Sequence, residues 1–263
     1  AVGASATTGT NTATASGGGD PACNGTATCT STTPPVSVGA SAIVTTPDSG
    51  SVGGVSGGTV ESNIVADDTI GGAPAILSGT ATPGNPANAT VKQDPVSPAW
   101  PAYIHLNTAT GEVTVDPASP AGTYPVKYEL CEVANPTNCK VETVTVTITP
   151  SISVAKAASA SSFTVGAPGQ YYDITVTVAS GPTSAAIVIS DNLPTGISLA
   201  AAPTKEAGST SDGVLSGCPA AGSANLTGCQ INTNASSGTI VIRVPVAVGA
   251  SATTGTNTAT ASG

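Results

Sequence analysis

The sequence predicts an all-β protein of many short strands arranged in two modules, on the strength of its alternation, its punctuation and one long repeat. The runs TVTVTIT at 143–149, DITVTV at 173–178 and IVIRVPV at 240–246 alternate β-branched and other residues, as strands with one buried face do. Between such runs fall 31 Gly and 21 Pro, the spacing of strands joined by turns. No stretch carries a helical period of useful length, Met is absent and Leu numbers 7, so the usual helix-core residues are missing. Val, Ile, Leu and Phe make up 49 of 263 residues, few enough for disorder to compete. Only 21 residues are charged, too few for self-repulsion to keep the chain unfolded.

The repeat is AVGASATTGTNTATASG, which occupies residues 1–17 and again 247–263. Seventeen letters in one order are not a product of composition, and their 246-residue offset marks one period and the start of another. The sequence is therefore expected to be a window on a longer periodic object, either one tandem-repeat polypeptide or a filament of separate subunits. A period of this length suits two modules.

A net charge of −9 with six Lys and Arg in total argues against nucleic acid, which needs clustered cations. No run of 18 apolar residues crosses a membrane within this window. The first residue is not Met and no signal-like segment precedes the strands, which a window from inside a longer chain would also show.

Six cysteines fall in three close pairs, Cys23 with Cys29, Cys131 with Cys139 and Cys218 with Cys229. Each pair brackets Gly, Asn or Pro turn residues, so local disulfides across hairpins or short loops are expected. None has the C-x-x-C spacing of a zinc site and the sole His105 is remote in sequence. Disulfides place the protein in an oxidising, extracellular setting.

From residue 151 the chain reads as SISVAK, YDITVTV, AAIVISDNLPTG, a cysteine loop at 218–229, GTIVIRVPVAV and TNTATASG. This order resembles the conserved repeat domain called domain of unknown function eleven, found in tandem in bacterial and archaeal surface proteins. The matching pieces are Lys156, ITVTV before a Gly turn, Asp191-Asn192-Leu193-Pro194-Thr195-Gly196 and the terminal Asn257-Thr258-Ala259-Thr260. The resemblance covers about 110 residues and implies an immunoglobulin-like sandwich of antiparallel strands. Residues 39–150, with TGEVTVDP preceding AGTYPVKYELCE, resemble other β-sandwich repeats of large bacterial adhesins. The expected organisation is thus all-β, with two immunoglobulin-like antiparallel β-sandwich modules per 246-residue repeat. Residues 1–38 would be the last strands of a preceding or strand-sharing module, 39–150 the adhesin-type module, and 151–263 a module completed by the next copy. Tyr124 and Tyr128, four apart, share a strand face. Pro150 leaves scarcely any linker between the modules.

Candidate chemistry is sparse. His105 has no neighbouring acid or thiol in YIHLNTATG, and no nucleophile elbow, P-loop or dinucleotide fingerprint occurs, so no enzyme and no catalytic residue is expected. Glu61, Asp67 and Asp68 form the densest acidic group and are the candidate calcium ligands, without the spacing of a calcium loop; no other cofactor or metal is expected. Lys156 in a first strand and Asn257 in a last strand stand where some other bacterial immunoglobulin-like domains form a lysine-to-asparagine isopeptide bond. Asp173 or Asp191 would then shuttle the proton, while an exposed lysine and a strand-capping asparagine are the plain alternative. Asn24, Asn88, Asn225 and Asn234 each begin N-x-S/T, which matters only if the source organism glycosylates exported protein. Trp100 near Tyr103 is the only candidate sugar platform.

These readings converge on a non-enzymatic repeat of an extracellular fibre or giant surface adhesin. Its expected partners are identical copies head to tail and, through a distal tip, other cells or surfaces. A ligand- or glycan-binding module is the rival.

Overall fold

The computed structural model describes residues 9–15, 30–35 and 39–263; Cys23, Asn24 and Cys29 lie outside them. All the regular structure in these residues is strand. Strands β1 (Thr12–Thr14) and β2 (Thr30–Thr32) form a two-stranded antiparallel sheet with Ala13 opposite Ser31. The buried apolar side chains fall into two clusters, one within residues 64–148 and one within 174–259.

The first cluster lies between two sheets. One has the order β4 (Asp48–Gly53), β12 (Cys139–Thr149), β11 (Gly122–Glu132), β8 (Ala89–Gln93), and the other β5 (Gly58–Glu61), β10 (Val113–Val115), β9 (Ile104–Leu106). A small sheet of β3 (Ile43–Val44), β6 (Thr69–Ile70) and β7 (Ala73–Pro74) lies beside them. Pairing is antiparallel throughout except between β12 and β4, which run parallel with Val144 opposite Asp48. No hairpin joins these two strands; nearly the whole module lies between them, so the turn geometry that enforces antiparallel pairing elsewhere does not act. Alternation does the rest: Val144, Val146 and Ile148 point inward from β12 and are almost wholly buried.

Tyr124 and Tyr128 both pack on this cluster, and Trp100, only 7% exposed, belongs to it. The indole Nε1 donates to the Lys127 carbonyl at 2.8 Å, which satisfies its one polar atom and ties the loop before β9 to β11. A stacking platform for sugars needs an open ring face, and Trp100 is core.

In the second cluster one sheet runs β13 (Ser151–Ala158), β14 (Gln170–Ala179), β20 (Gly238–Val248), β16 (Ile197–Leu199), with β17 (Thr204–Lys205) also on β20. The facing sheet runs β18 (Leu215–Ser216), β19 (Asn225–Ile231), β15 (Ile187–Asn192), β21 (Ala259–Ser262). Ile174, Val176 and Val178 from one sheet meet Ile187, Ile189 and Leu226 from the other. Burying each such side chain is worth about 1.5–3 kcal/mol.

Disulfides Cys131–Cys139 and Cys218–Cys229 close the β11–β12 hairpin and the loop ahead of β19. Between the clusters stands a single residue, Pro150, separating β12 from β13. The seam is buttressed, because Ala121 N–H donates to the Ser180 carbonyl at 3.0 Å. Buried Gly54 approaches so closely that a Cβ there would sit 2.6 Å from both the Ser119 carbonyl oxygen and the Ser180 Cβ.

Replacing Trp100 by Ala is expected to destabilise the first sandwich by about 3–5 kcal/mol, read as a lowered first transition in calorimetry. A change below about 1 kcal/mol would contradict its core role.

Candidate functional site

The second sandwich holds two charges where its strands call for aliphatic side chains. Along β13 the inward positions are Ile152, Val154 and Lys156, and along β15 they are Ile187, Ile189 and Asp191. Period-two alternation therefore drives the ammonium of one sheet and the carboxylate of the other into the same interior. The Lys156 side chain is 9% exposed and that of Asp191 is fully buried. They form an ion pair, Lys156 Nζ donating to Asp191 Oδ2. Burial holds the Lys156 pKa below the usual lysine range, with Asp191 opposing.

Asn257 completes the group. Ala259 pairs with Asp191 across β15 and β21, so Asn257, two residues earlier, emerges on the same face as Ala259, which is itself 6% exposed. Both polar atoms of the Asn257 carboxamide are buried without a well-formed hydrogen bond, as is Asp191 Oδ1. Each unsatisfied polar group costs about 1–3 kcal/mol. Tyr172 forms the aromatic wall: Lys156 Nζ lies 4.3 Å from its ring centroid, and the Phe163 ring centroid is 5.1 Å from that of Tyr172. Burial pushes the Tyr172 hydroxyl pKa up, while the adjacent Asn257 amide pulls it down. Lys156, Tyr172 and Asn257 line a partly open cleft of about 530 Å³ whose lining includes the exposed Thr254.

Of the two aspartates expected near Lys156, the structure brings in Asp191. Asp173 faces outward, taken bidentately by Arg243 Nε and Nη2, both at 3.1 Å. Arg243 also pairs with Glu206 at 2.8 Å and lies 4.1 Å over the Tyr171 ring. The exposed-lysine alternative fails, because I-x-V-x-K on an alternating strand places the lysine inside.

The acidic residues of the first sandwich lie elsewhere. Glu61 caps its own turn, accepting from the Ser62 N–H at 2.9 Å, and Asp67 is exposed. Asp68 is buried and accepts from the Thr46 N–H at 2.9 Å and the Tyr128 hydroxyl at 3.3 Å. Among the described residues the only converging group of three potential ligands is Glu129, Cys131 and Cys139, whose sulfurs are joined in the disulfide. The sequence reading missed Asp48, which lies beside Tyr128 at 3.4 Å. Burial, then the charges of Asp67, Asp68 and Glu61, push its pKa up to about 7. No local pattern marks it: Asp48 opens a strand whose register against Val144 comes only with the fold.

His105 Nε2 pairs with Asp116 at 2.9 Å on an exposed surface, and among the described residues it bonds no hydroxyl or thiol. The Asn88 carboxamide is engaged by Ile76 N–H at 2.7 Å and the Pro74 carbonyl at 2.9 Å.

No protein-family model matches the chain, and no curated protein matches it. Among solved structures it is similar to protocadherin gamma B2 extracellular cadherin domains 3–6, at 12% identity and TM-score 0.31, over 84% of this chain and 46% of that one. It is also similar to the human desmocollin-1 ectodomain, at 13% and 0.34, over 84% and 41%. A third likeness is to the CsuC–CsuE chaperone and tip adhesion subunit complex of Acinetobacter baumannii Csu pili, at 9% and 0.28, over 84% and 99%. The chain spans about half the length of the protocadherin structures. These likenesses are too distant to assign a site or a partner, and the β-sandwich layout rests on the strands themselves.

Asp48 gives a pH signature. Its pKa is higher folded than unfolded, so between about 4 and about 7 the folded state binds more protons, and stability falls as pH rises through that window. Asp48→Asn is expected to stabilise the first sandwich at pH 8 by about 1–2 kcal/mol, a fraction of the full shift because water reaches the cluster. The gain should vanish by pH 4 in denaturant titrations; an equal gain at both pH values would contradict it.

Proposed function

We propose that this protein is a structural, non-enzymatic repeat of an extracellular fibre or surface adhesin, in which the second module of each repeat is finished by a strand from the next copy. The supporting observation is one sequence in two settings. Residues 12–14 of β1 recur as 258–260, running into β21. β1 pairs with β2, while β21 pairs with β15 and ends its sheet. A strand has two edges; the same segment uses one partner at each site, and joining them gives the order β15, β21, then β2 of the following copy. Ala13 is exposed in its two-stranded sheet whereas its twin Ala259 is buried, as expected of one segment with and without its sandwich.

Support for the mechanical role comes from the single-residue junction and its buttress, which favour stiff neighbours over free beads. The two disulfides favour an extracellular setting. The glycan-binding rival loses its platform with the burial of Trp100. Asp48, Glu61, Asp67 and Asp68 lie close enough to feel one another's charge, but among the described residues no three of these carboxylates close to the mutual distance of metal ligands, so calcium draws no support from them. Identical copies are the expected partners, whether covalently continuous or as separate subunits. A reduced, denatured gel of the native material separates these two, as a band near 24.9 kDa or one far larger.

A chain extended past Gly263 by residues 18–38 is expected to melt higher in its second sandwich by about 5 °C or more, because β21 gains its missing neighbour. An unchanged melting profile would overturn strand completion.

A further inference from the structure

We propose that Lys156 and Asn257 are joined by an intramolecular isopeptide bond between Nζ and Cγ, formed spontaneously in the folded second sandwich with Asp191 as the proton shuttle. The placement carries it. A buried lysine, a buried carboxylate and a carboxamide with both polar atoms orphaned meet in one interior, and each comes from a different strand or strand approach. An asparagine left without partners is costly unless its amide is consumed by a neighbour.

The chemistry balances without any external reagent. Asp191 takes one proton from the Lys156 ammonium, leaving a neutral amine. The Nζ lone pair attacks Asn257 Cγ, giving a tetrahedral intermediate with positive nitrogen and negative oxygen. Asp191 hands its proton to Nδ2 and takes a second from Nζ as the carbonyl re-forms. The Cγ–Nδ2 bond breaks and ammonia leaves, with Asp191 neutral at the end. Two buried charges become an amide and a carboxylic acid, which removes the cost of an ion pair held out of water. The Tyr172 ring shields the amine on one side, and desolvation lowers the lysine pKa so that a nucleophilic fraction is accessible. The partly open cleft that Lys156 and Asn257 line offers ammonia a way out.

The bond would tie β13 to the approach to β21, the first and last strands of this sandwich, which lie against each other. This stands apart from strand completion, since it needs only residues of one copy. Asn11, the twin of Asn257, is exposed in its two-stranded sheet, so one ammonia and not two is lost from this chain.

The test is the intact mass of the reduced, denatured 263-residue protein, followed by trypsin. The expected result is a mass about 17 Da below that of the sequence, one ammonia. With it should appear a branched peptide joining residues 141–205 to residues 244–263, because trypsin no longer cuts after Lys156. Lys156→Arg and Asn257→Ala should restore the mass expected from their sequences, and Asp191→Asn should leave most of the chains unbonded. The wild-type measurement stands whether or not these variants fold. An unchanged wild-type mass overturns the proposal. So does a 17 Da loss with normal cleavage after Lys156, since an asparagine that closes on its own backbone loses the same mass.

Discussion

A lysine on one sheet and an aspartate on the other, both out of water, constrain nearly everything in the second sandwich. Desolvating two charges costs more than an isolated pair returns unless geometry holds them together. Geometry here means register. Sliding β13 by one residue on β14 would turn Lys156 to solvent with Ile152 and Val154, leaving Asp191 charged and alone in an apolar interior. The same slip in β15 would do the reverse. The pair therefore selects one alignment of four strands, and the carboxamide beside it inherits its position from the pairing of Ala259 with Asp191.

The first sandwich solves the same packing problem without an ion pair. Its central polar group is the Tyr128 hydroxyl, fully buried, which donates to the Ile64 carbonyl at 3.0 Å. Asp48 and Asp68 also lie within its reach; burial first, and then the neighbouring acids, hold both carboxyls toward the protonated form, with no cation paired to them among the described residues. One module thus holds buried acids beside other acids, and the other a compensated pair. The two should respond differently to pH and to salt, since like-charge crowding at a partly hydrated edge is screened and a buried pair is not.

The strand content was open to sequence reading because period-two alternation is local: 143–149, 173–178 and 240–246 all lie in strands. The inwardness of Lys156 was equally written, in ISVAK, but a charged residue at an apolar position is discounted by its own polarity until a partner is in view. That partner lies 35 positions away, and the asparagine a further 66; no local pattern links them. Trp100 sits among prolines, where no period says which way a ring points, so its burial came only with the fold. Asp48 acquired its surroundings through the parallel pairing of β4 with β12, a contact between chain segments nearly a hundred residues apart.

The seam at Pro150 has a geometric corollary. One residue between two paired strands, with the Gly54 backbone pressed against Ser180, leaves the second sandwich little freedom to swivel about the first. Whatever angle the seam imposes is repeated at every equivalent seam in an array, and a constant turn per unit is the definition of a screw. In such an array extension would be coupled to rotation, where beads on flexible linkers would only straighten.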